Sequence, residues 1–286
     1  MSMISTNHLA GEIYGQFDGR VGIVTGGRDF GPFRLEVSEG IATASFDRPP
    51  VNAFDLATYQ ALHELVEHLE QRDDARVVVL TAPEGARCWC GGADLRDFVG
   101  MDQAGRAERY AFINAVIPRL SELERPVVAA ITGDAIGIGV LLAAVADLRV
   151  AADSAAFSCP EIDYGLIAGS SRLLTYLGVP EGLVREMVYT GRRMTARSMH
   201  SAGFLNYVVP AAEVLPTAMS LATEIAAKSL PALRARKRAF TAHERMGWLE
   251  AYQFAQRLSG ELVGHGDSQE GVRAFLERRR AVLGDA

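Results

Sequence analysis

The sequence predicts an α/β fold that gives way to helices toward its C-terminus. Three observations carry that prediction. Short strand-turn-helix units recur through the first part of the chain. The run Val77-Val78-Val79-Leu80 is apolar on both faces, as a strand covered on both sides of a sheet requires. After Gly169 the apolar residues fall at helical spacing instead.

Taken in order, residues 1–32 form a Gly-rich lead-in with weak patterning, expected to be loosely held in part. Residues 33–37 and 41–46 alternate about the turn Ser38-Glu39-Gly40, a hairpin that Arg48-Pro49-Pro50 ends. Asp55 can cap a helix whose apolar stripe is Leu56, Tyr59, Leu62, Leu65, Val66 and Leu69. Residues 76–81 read as a buried strand, 82–92 as a loop, and 93–99 as the helix it opens. A second strand at 126–131, a turn at 133–139, a short buried helix at 140–146 and a strand at 148–151 repeat the scheme. Thr195 caps a helix at 196–201 that Gly203 stops. Residues 231–243 are basic on one side, and Asp267-Ser268-Gln269-Glu270 reads as the capping box of a last helix at 271–282. The expected organisation is an extension at 1–32, an α/β core at 33–208 and a helical region at 209–286.

Composition narrows the function. With 49% hydrophobic and 22% charged residues the chain is globular, and 286 residues can bury about 75% of their unfolded surface. A net charge of −6 argues against a nucleic-acid partner. Cys88, Cys90 and Cys159 are too few and odd in number for a disulfide framework, which points to a reducing compartment, and cytoplasm is expected. No apolar run reaches the ~20 residues of a membrane span, and the first residues lack a signal-peptide pattern, so no membrane partner is expected.

Three segments carry chemistry. Cys90-Gly91-Gly92-Ala93-Asp94-Leu95 follows a buried strand and opens a helix, where unpaired amides point outward and glycines admit a close ligand. Gly133-Asp134-Ala135-Ile136-Gly137-Ile138-Gly139 repeats the arrangement, with Gly137 and Gly139 flanking the Ile138 amide. Two such turns supply the pair of donors that an oxyanion hole needs. In Phe157-Ser158-Cys159-Pro160-Glu161-Ile162-Asp163-Tyr164-Gly165 a carboxylate, Glu161, sits in an apolar stretch that would raise its pKa toward that of a useful base. Read singly, each is an ordinary turn or a surface acid.

Read together, with Arg48-Pro49-Pro50-Val51-Asn52-Ala53, Val78-Val79-Leu80-Thr81, Arg125-Pro126-Val127-Val128-Ala129-Ala130, Ala146-Asp147, Ser229-Leu230-Pro231-Ala232 with Lys237, and Glu270-Gly271-Val272-Arg273-Ala274-Phe275, the chain resembles the crotonase (enoyl-CoA hydratase/isomerase) superfamily over residues 33–280. The resemblance implies a crotonase-like spiral of ββα units with a C-terminal helical region, a homotrimer or a hexamer built as a dimer of trimers, and acyl-CoA thioester substrates. Coenzyme A then arrives as part of the substrate, with no separate cofactor and no metal. By position the thioester oxygen would lie between the Ala93 and Ile138 amides, supported by Gly92, Gly137 and Gly139. Ala53, Asp94, Leu95 and Lys237 would bind coenzyme A. Glu161 stands at the second of the family's two catalytic glutamates, and Leu141 occupies the first. One base suffices to move a double bond, whereas hydration is served by two. The resemblance with Leu141 in place therefore points to enoyl-CoA isomerisation, with Glu161 as proton shuttle. Alternatives are hydration with Asp134, Asp163 or Tyr164 as a second group, and a non-catalytic acyl-CoA binder.

Other motifs read differently. Gly19-Arg20-Val21-Gly22-Ile23-Val24-Thr25-Gly26-Gly27 has the look of a dinucleotide site, but Phe30-Gly31-Pro32 breaks the chain where a helix would have to follow. Cys88-Trp89-Cys90 lacks the partner spacing of a zinc site. His63 and His68 read as surface or packing residues of the first helix. In the basic run Arg234, Arg236, Lys237 and Arg238, only Lys237 is expected to meet coenzyme A phosphates.

Overall fold

Strands too short to announce themselves decide the architecture. In a computed structural model, which describes residues 25–167, 169–243 and 245–284, the chain runs through β1 (Thr25–Phe30), β2 (Phe33–Ser38), β3 (Ile41–Phe46), α1 (Leu56–Glu70), β4 (Val77–Thr81), β5 (Cys88–Cys90) and α2 (Gln103–Glu122). It continues with β6 (Val127–Ile131), β7 (Asp134–Ile136), α3 (Ile138–Val145), β8 (Leu148–Ala152), β9 (Ala156–Ser158), α4 (Ser171–Tyr176) and α5 (Glu181–Thr190). Then come β10 (Met194–Thr195), α6 (Ala196–Ser201), β11 (Tyr207–Val209), α7 (Val214–Ala226), α8 (Leu230–His243), α9 (Trp248–Glu261) and α10 (Gly266–Leu276).

Seven strands form a large sheet in the order β1-β2-β3-β4-β6-β8-β11, antiparallel through the first hairpin and parallel from β3 onward. Four short strands form a second sheet, β10-β9-β7-β5, in which β5, β7 and β9 are parallel. The pairs β4–β5, β6–β7 and β8–β9 thus each give one strand to each sheet before the chain turns into helix, which is the expected spiral of ββα units. Every residue of β4 and of β6 is buried, as their apolar runs require, and Thr81 at the end of β4 satisfies its hydroxyl on the Ala82 and Ala130 carbonyls. The side chain of Asp55 caps α1, whose buried face includes Tyr59, Leu62, Leu65, Val66 and Leu69; Leu56, placed in that stripe from sequence, is exposed. Arg125, buried, donates to the Leu69, Arg72 and Ala75 carbonyls and so closes the C-terminal end of α1.

Five sequence expectations need correction. Residues 25–30 of the lead-in are a strand on the sheet edge, with Thr25-Gly26-Gly27 beginning β1 and no helix following, in line with the rejection of a dinucleotide site; residues 19–24 of that motif lie outside the described residues. The loop at 82–92 and the turn at 133–139 contain β5 and β7, three residues each. The helix at 93–99 shrinks to one 3₁₀ turn, Leu95–Phe98, because Asp94 caps it and Val99 is already extended. The last helix starts at Gly266, not Gly271. His265 caps it, while Asp267 accepts from the Gly284 amide and Glu270 pairs with Arg279, so the carboxylates of the supposed capping box tie down the chain beyond the helix. Within 209–286, α7 lies against β3, β4, β6 and β8, and α8 to α10 follow it.

Candidate active site

Parallel register brings three remote segments to one edge. Cys90 pairs with Ala135, and Ala135 and Ile136 pair with Phe157 and Ser158. The chain therefore leaves β5, β7 and β9 side by side, as Gly91-Gly92-Ala93, Gly137-Ile138 and Cys159-Pro160-Glu161. Carboxyl ends of parallel strands are where open α/β sheets place their ligands.

The approach is close enough to require glycine. Gly137 has φ +55°, and a Cβ there would stand 2.8 Å from Glu161 Oε1 and 3.7 Å from the Gly92 Cα. Gly92 has φ +100°, and a Cβ on Gly139 would meet the Cys90 carbonyl at 2.6 Å. Phe54 N donates to Gly92 O and Asp94 N donates to Phe54 O, both at 2.8 Å, so Phe54 grips the peptide groups on either side of Ala93. Ala93 N–H has no acceptor among the described residues. Ile138 N–H opens α3, where first-turn amides lack intrahelical partners, and it too has none among the described residues. The predicted donors, their glycines and Glu161 are thus assembled at one place.

Glu161 sits on a 3₁₀ turn, Pro160–Tyr164, that Leu166 N ties back by donating to Glu161 O at 2.9 Å. Its Oε2 is buried without a hydrogen-bond partner among the described residues, and burial pushes the carboxyl pKa upward. A raised pKa means the folded state disfavours the ionised form. The cost is present at neutral pH and is relieved as pH falls through the folded pKa. Glu161→Gln is therefore expected to melt above the unaltered protein at pH 8, the gap narrowing at acid pH, as scanning calorimetry at the two pH values would record. Absence of a gap at pH 8 would contradict it.

None of the candidate second groups is poised like Glu161. Asp134 accepts from Ala156 N at 2.9 Å and pairs with Arg193. Asp163 and Tyr164 are exposed, and Leu141 lies on α3 one turn beyond Ile138, packed against the core. Burial pushes the Cys90 thiol up to about 12, which leaves it an inert wall beside Gly139. His63 contacts Glu67 and, on α2, Arg119, and His68 contacts Arg72 and, on β1, Arg28, so both are half-buried packing residues of α1.

Ala53, Ala93, Asp94 and Leu95 share a cleft of about 470 Å³, completed by Arg48, Pro49, Pro50, Val51, Gly91 and Arg96. Arg48 and Arg96 hold the Asp94 carboxylate at 3.2 and 2.6 Å and keep its pKa far below the usual carboxylate range. These two cations at the cleft were not singled out from sequence; only their places next to Pro49 and after Asp94-Leu95 signalled them.

Lys237 is not brought to this cleft. Its ammonium, 5% exposed, meets Asp147 Oδ2 at 2.6 Å, and that oxygen also accepts from Val127 N at 2.7 Å. It locks α8 to the edge of β6. Removing one partner of a buried pair leaves the other uncompensated. Lys237→Met is expected to cost about 2 kcal/mol in urea unfolding, since Asp147 is still partly hydrated. Unchanged stability with a raised KM would instead make Lys237 a substrate contact.

Comparison with known proteins identifies the family and the fold. The family model described as enoyl-CoA hydratase/isomerase matches residues 36–286. The chain is 35% identical over 240 residues to carnitinyl-CoA dehydratase of Proteus mirabilis, covering 82% of this chain and 90% of the relative. It is 27% identical over 250 residues to short-chain-enoyl-CoA hydratase of Clostridium acetobutylicum, covering 86% and 95%. Among solved structures, the enoyl-CoA hydratase from Bacillus anthracis superposes with a TM-score of 0.83 at 27% identity, covering 88% of this chain and 99% of that one.

Proposed function

The chain belongs to the enoyl-CoA hydratase/isomerase family, and from that premise we propose that it moves the double bond of an enoyl-CoA thioester, with Glu161 carrying the proton. The observation that supports this is the single partnerless carboxylate against Gly137, with Leu141 where a second acid would stand. A thioester carbonyl oxygen seated between the Ala93 and Ile138 amides takes up negative charge as Glu161 removes a proton from one carbon of the acyl chain. Glu161, now protonated, returns that proton two carbons along, and the double bond lies in its new position with no atom gained or lost. Proximity of base and donors does the rest of the work. Gly92, Gly137 and Gly139 permit the approach, and Ala53, Asp94 and Leu95 line the cleft that takes the coenzyme A arm, beside the cations Arg48 and Arg96.

Hydration is the second reading, favoured by the dehydratase and hydratase names of the relatives. Incubation with 2-enoyl- and 3-enoyl-CoA followed by mass analysis separates the two. An unchanged mass with a shifted double bond supports isomerisation, and the added mass of water supports hydration. Binding without any conversion would mark a non-catalytic acyl-CoA binder.

The proposed assembly is a trimer or a dimer of trimers in the cytoplasm. On α9 and α10, Trp248, Tyr252, Phe275 and Leu276 are all more than half exposed, large apolar side chains that a subunit contact would cover. Light scattering on the eluting protein gives the mass that decides it.

A further inference from the structure

Beyond the reacting atoms, α3 leads somewhere. Ile138, Leu141 and Val145 fall at helical spacing on one face, three and then four residues apart. Ile138 and Leu141 are only partly buried, and the face ends at a cavity of about 430 Å³. Ala144, Val145, Leu173, Leu177, Ile225 and Leu233 line that cavity, from α3, α4 and its C-cap, α7 and α8. Two cations also stand in its wall: Lys237, whose charge is matched by Asp147, and Arg236, which lies over the Phe240 ring at 5.7 Å. An apolar chamber of this size takes an apolar ligand.

We infer that this cavity is the seat of the acyl tail, and that Leu141 is the apolar guide between the thioester and the chamber. The inference rests on the acyl-CoA reading above and adds the substrate class: thioesters with a medium or longer unbranched chain. Seven residues of helix rise roughly 10 Å from Ile138 to Val145, a span that about eight extended chain carbons cover. A carboxylate at position 141 would lie on that path, and a leucine there turns the path apolar. Short acyl groups would stop near Leu141 and leave the chamber unused.

Saturated butanoyl-CoA and decanoyl-CoA, which cannot react, test this by calorimetry on the full chain. Each further buried methylene strengthens binding about fourfold, so even partial burial makes decanoyl-CoA bind at least 100-fold tighter than butanoyl-CoA. Leu233→Trp, which fills the chamber from α8, is expected to weaken decanoyl-CoA at least tenfold and to leave butanoyl-CoA within twofold. Ile225→Trp, from α7, does the same, and Phe240→Ala, at an exposed wall position that puts folding at little risk, weakens decanoyl-CoA about threefold. Equal affinities of the two thioesters for the unaltered protein would overturn the inference while leaving the acyl-CoA reading intact. A tryptophan variant that changes the assembly's elution volume with decanoyl-CoA affinity unchanged would give the chamber to a second copy of the chain, and the inference falls. Failure of either thioester to bind would overturn the acyl-CoA reading and this inference with it.

Discussion

Glu161→Gln is expected to retain acyl-CoA affinity within a few-fold and to lose roughly a thousandfold in kcat, within the range that a positioned acid-base group contributes. The amide keeps the size of the carboxyl group and its place against Gly137, where no Cβ intervenes, so the packing survives. What disappears is the ability to accept a proton. Because burial raises the Glu161 pKa, the acid limb of the unaltered enzyme's kcat/KM is expected to have its midpoint above the ~4.3 of an exposed glutamate, rising with pH as the carboxyl ionises. The variant's residual rate should lack that limb. Single-turnover kinetics with isothermal binding measures both parts, and a variant at near-native rate would remove Glu161 from the chemistry.

Ile138→Pro is the second large effect. Proline is well accepted at the first position of a helix, where its missing N–H has no intrahelical partner in any case. Gly137 ahead of it has no Cβ to meet the ring. The substitution therefore deletes one donor while the backbone of α3 stays in place. Loss of one oxyanion donor typically lowers kcat by about 10²–10³. Ile138→Ala, which keeps the amide and trims the side chain, should fall by less than about tenfold on the same scale. Comparable losses in the two variants would show that the side chain matters and the amide does not.

The donors were legible in sequence because glycine is the residue a close backbone approach demands, and Gly92, Gly137 and Gly139 mark those places. Glu161 was legible for the apolar stretch around it. The sheet that joins them was not. Three-residue strands such as Cys88–Cys90 and Ala156–Ser158 are too short to display alternation, and only pairing with neighbours makes them strands. The helix Gln103–Glu122 escaped as well. Its buried positions are Arg109, Val116, Ile117 and Leu120, with polar and apolar residues scattered around the rest of its circumference and Pro118 inside it. Arg109 is hidden between the rings of Tyr59 and Phe98, a burial no periodicity argument assigns to an arginine. Lys237 was given to coenzyme A on its position in the resemblance; its partner Asp147, ninety positions away in sequence, could be recognised only once α8 was seen beside β6.

Both groups proposed to face the thioester oxygen, the Ala93 and Ile138 amides, belong to the main chain. Point mutation rewrites side chains and, proline apart, leaves peptide N–H groups where they are. Heredity can therefore vary residues 93, 138 and 141 in size and polarity without abolishing the polarising device, and new chemistries on this scaffold can start from a cradle that is already in working order.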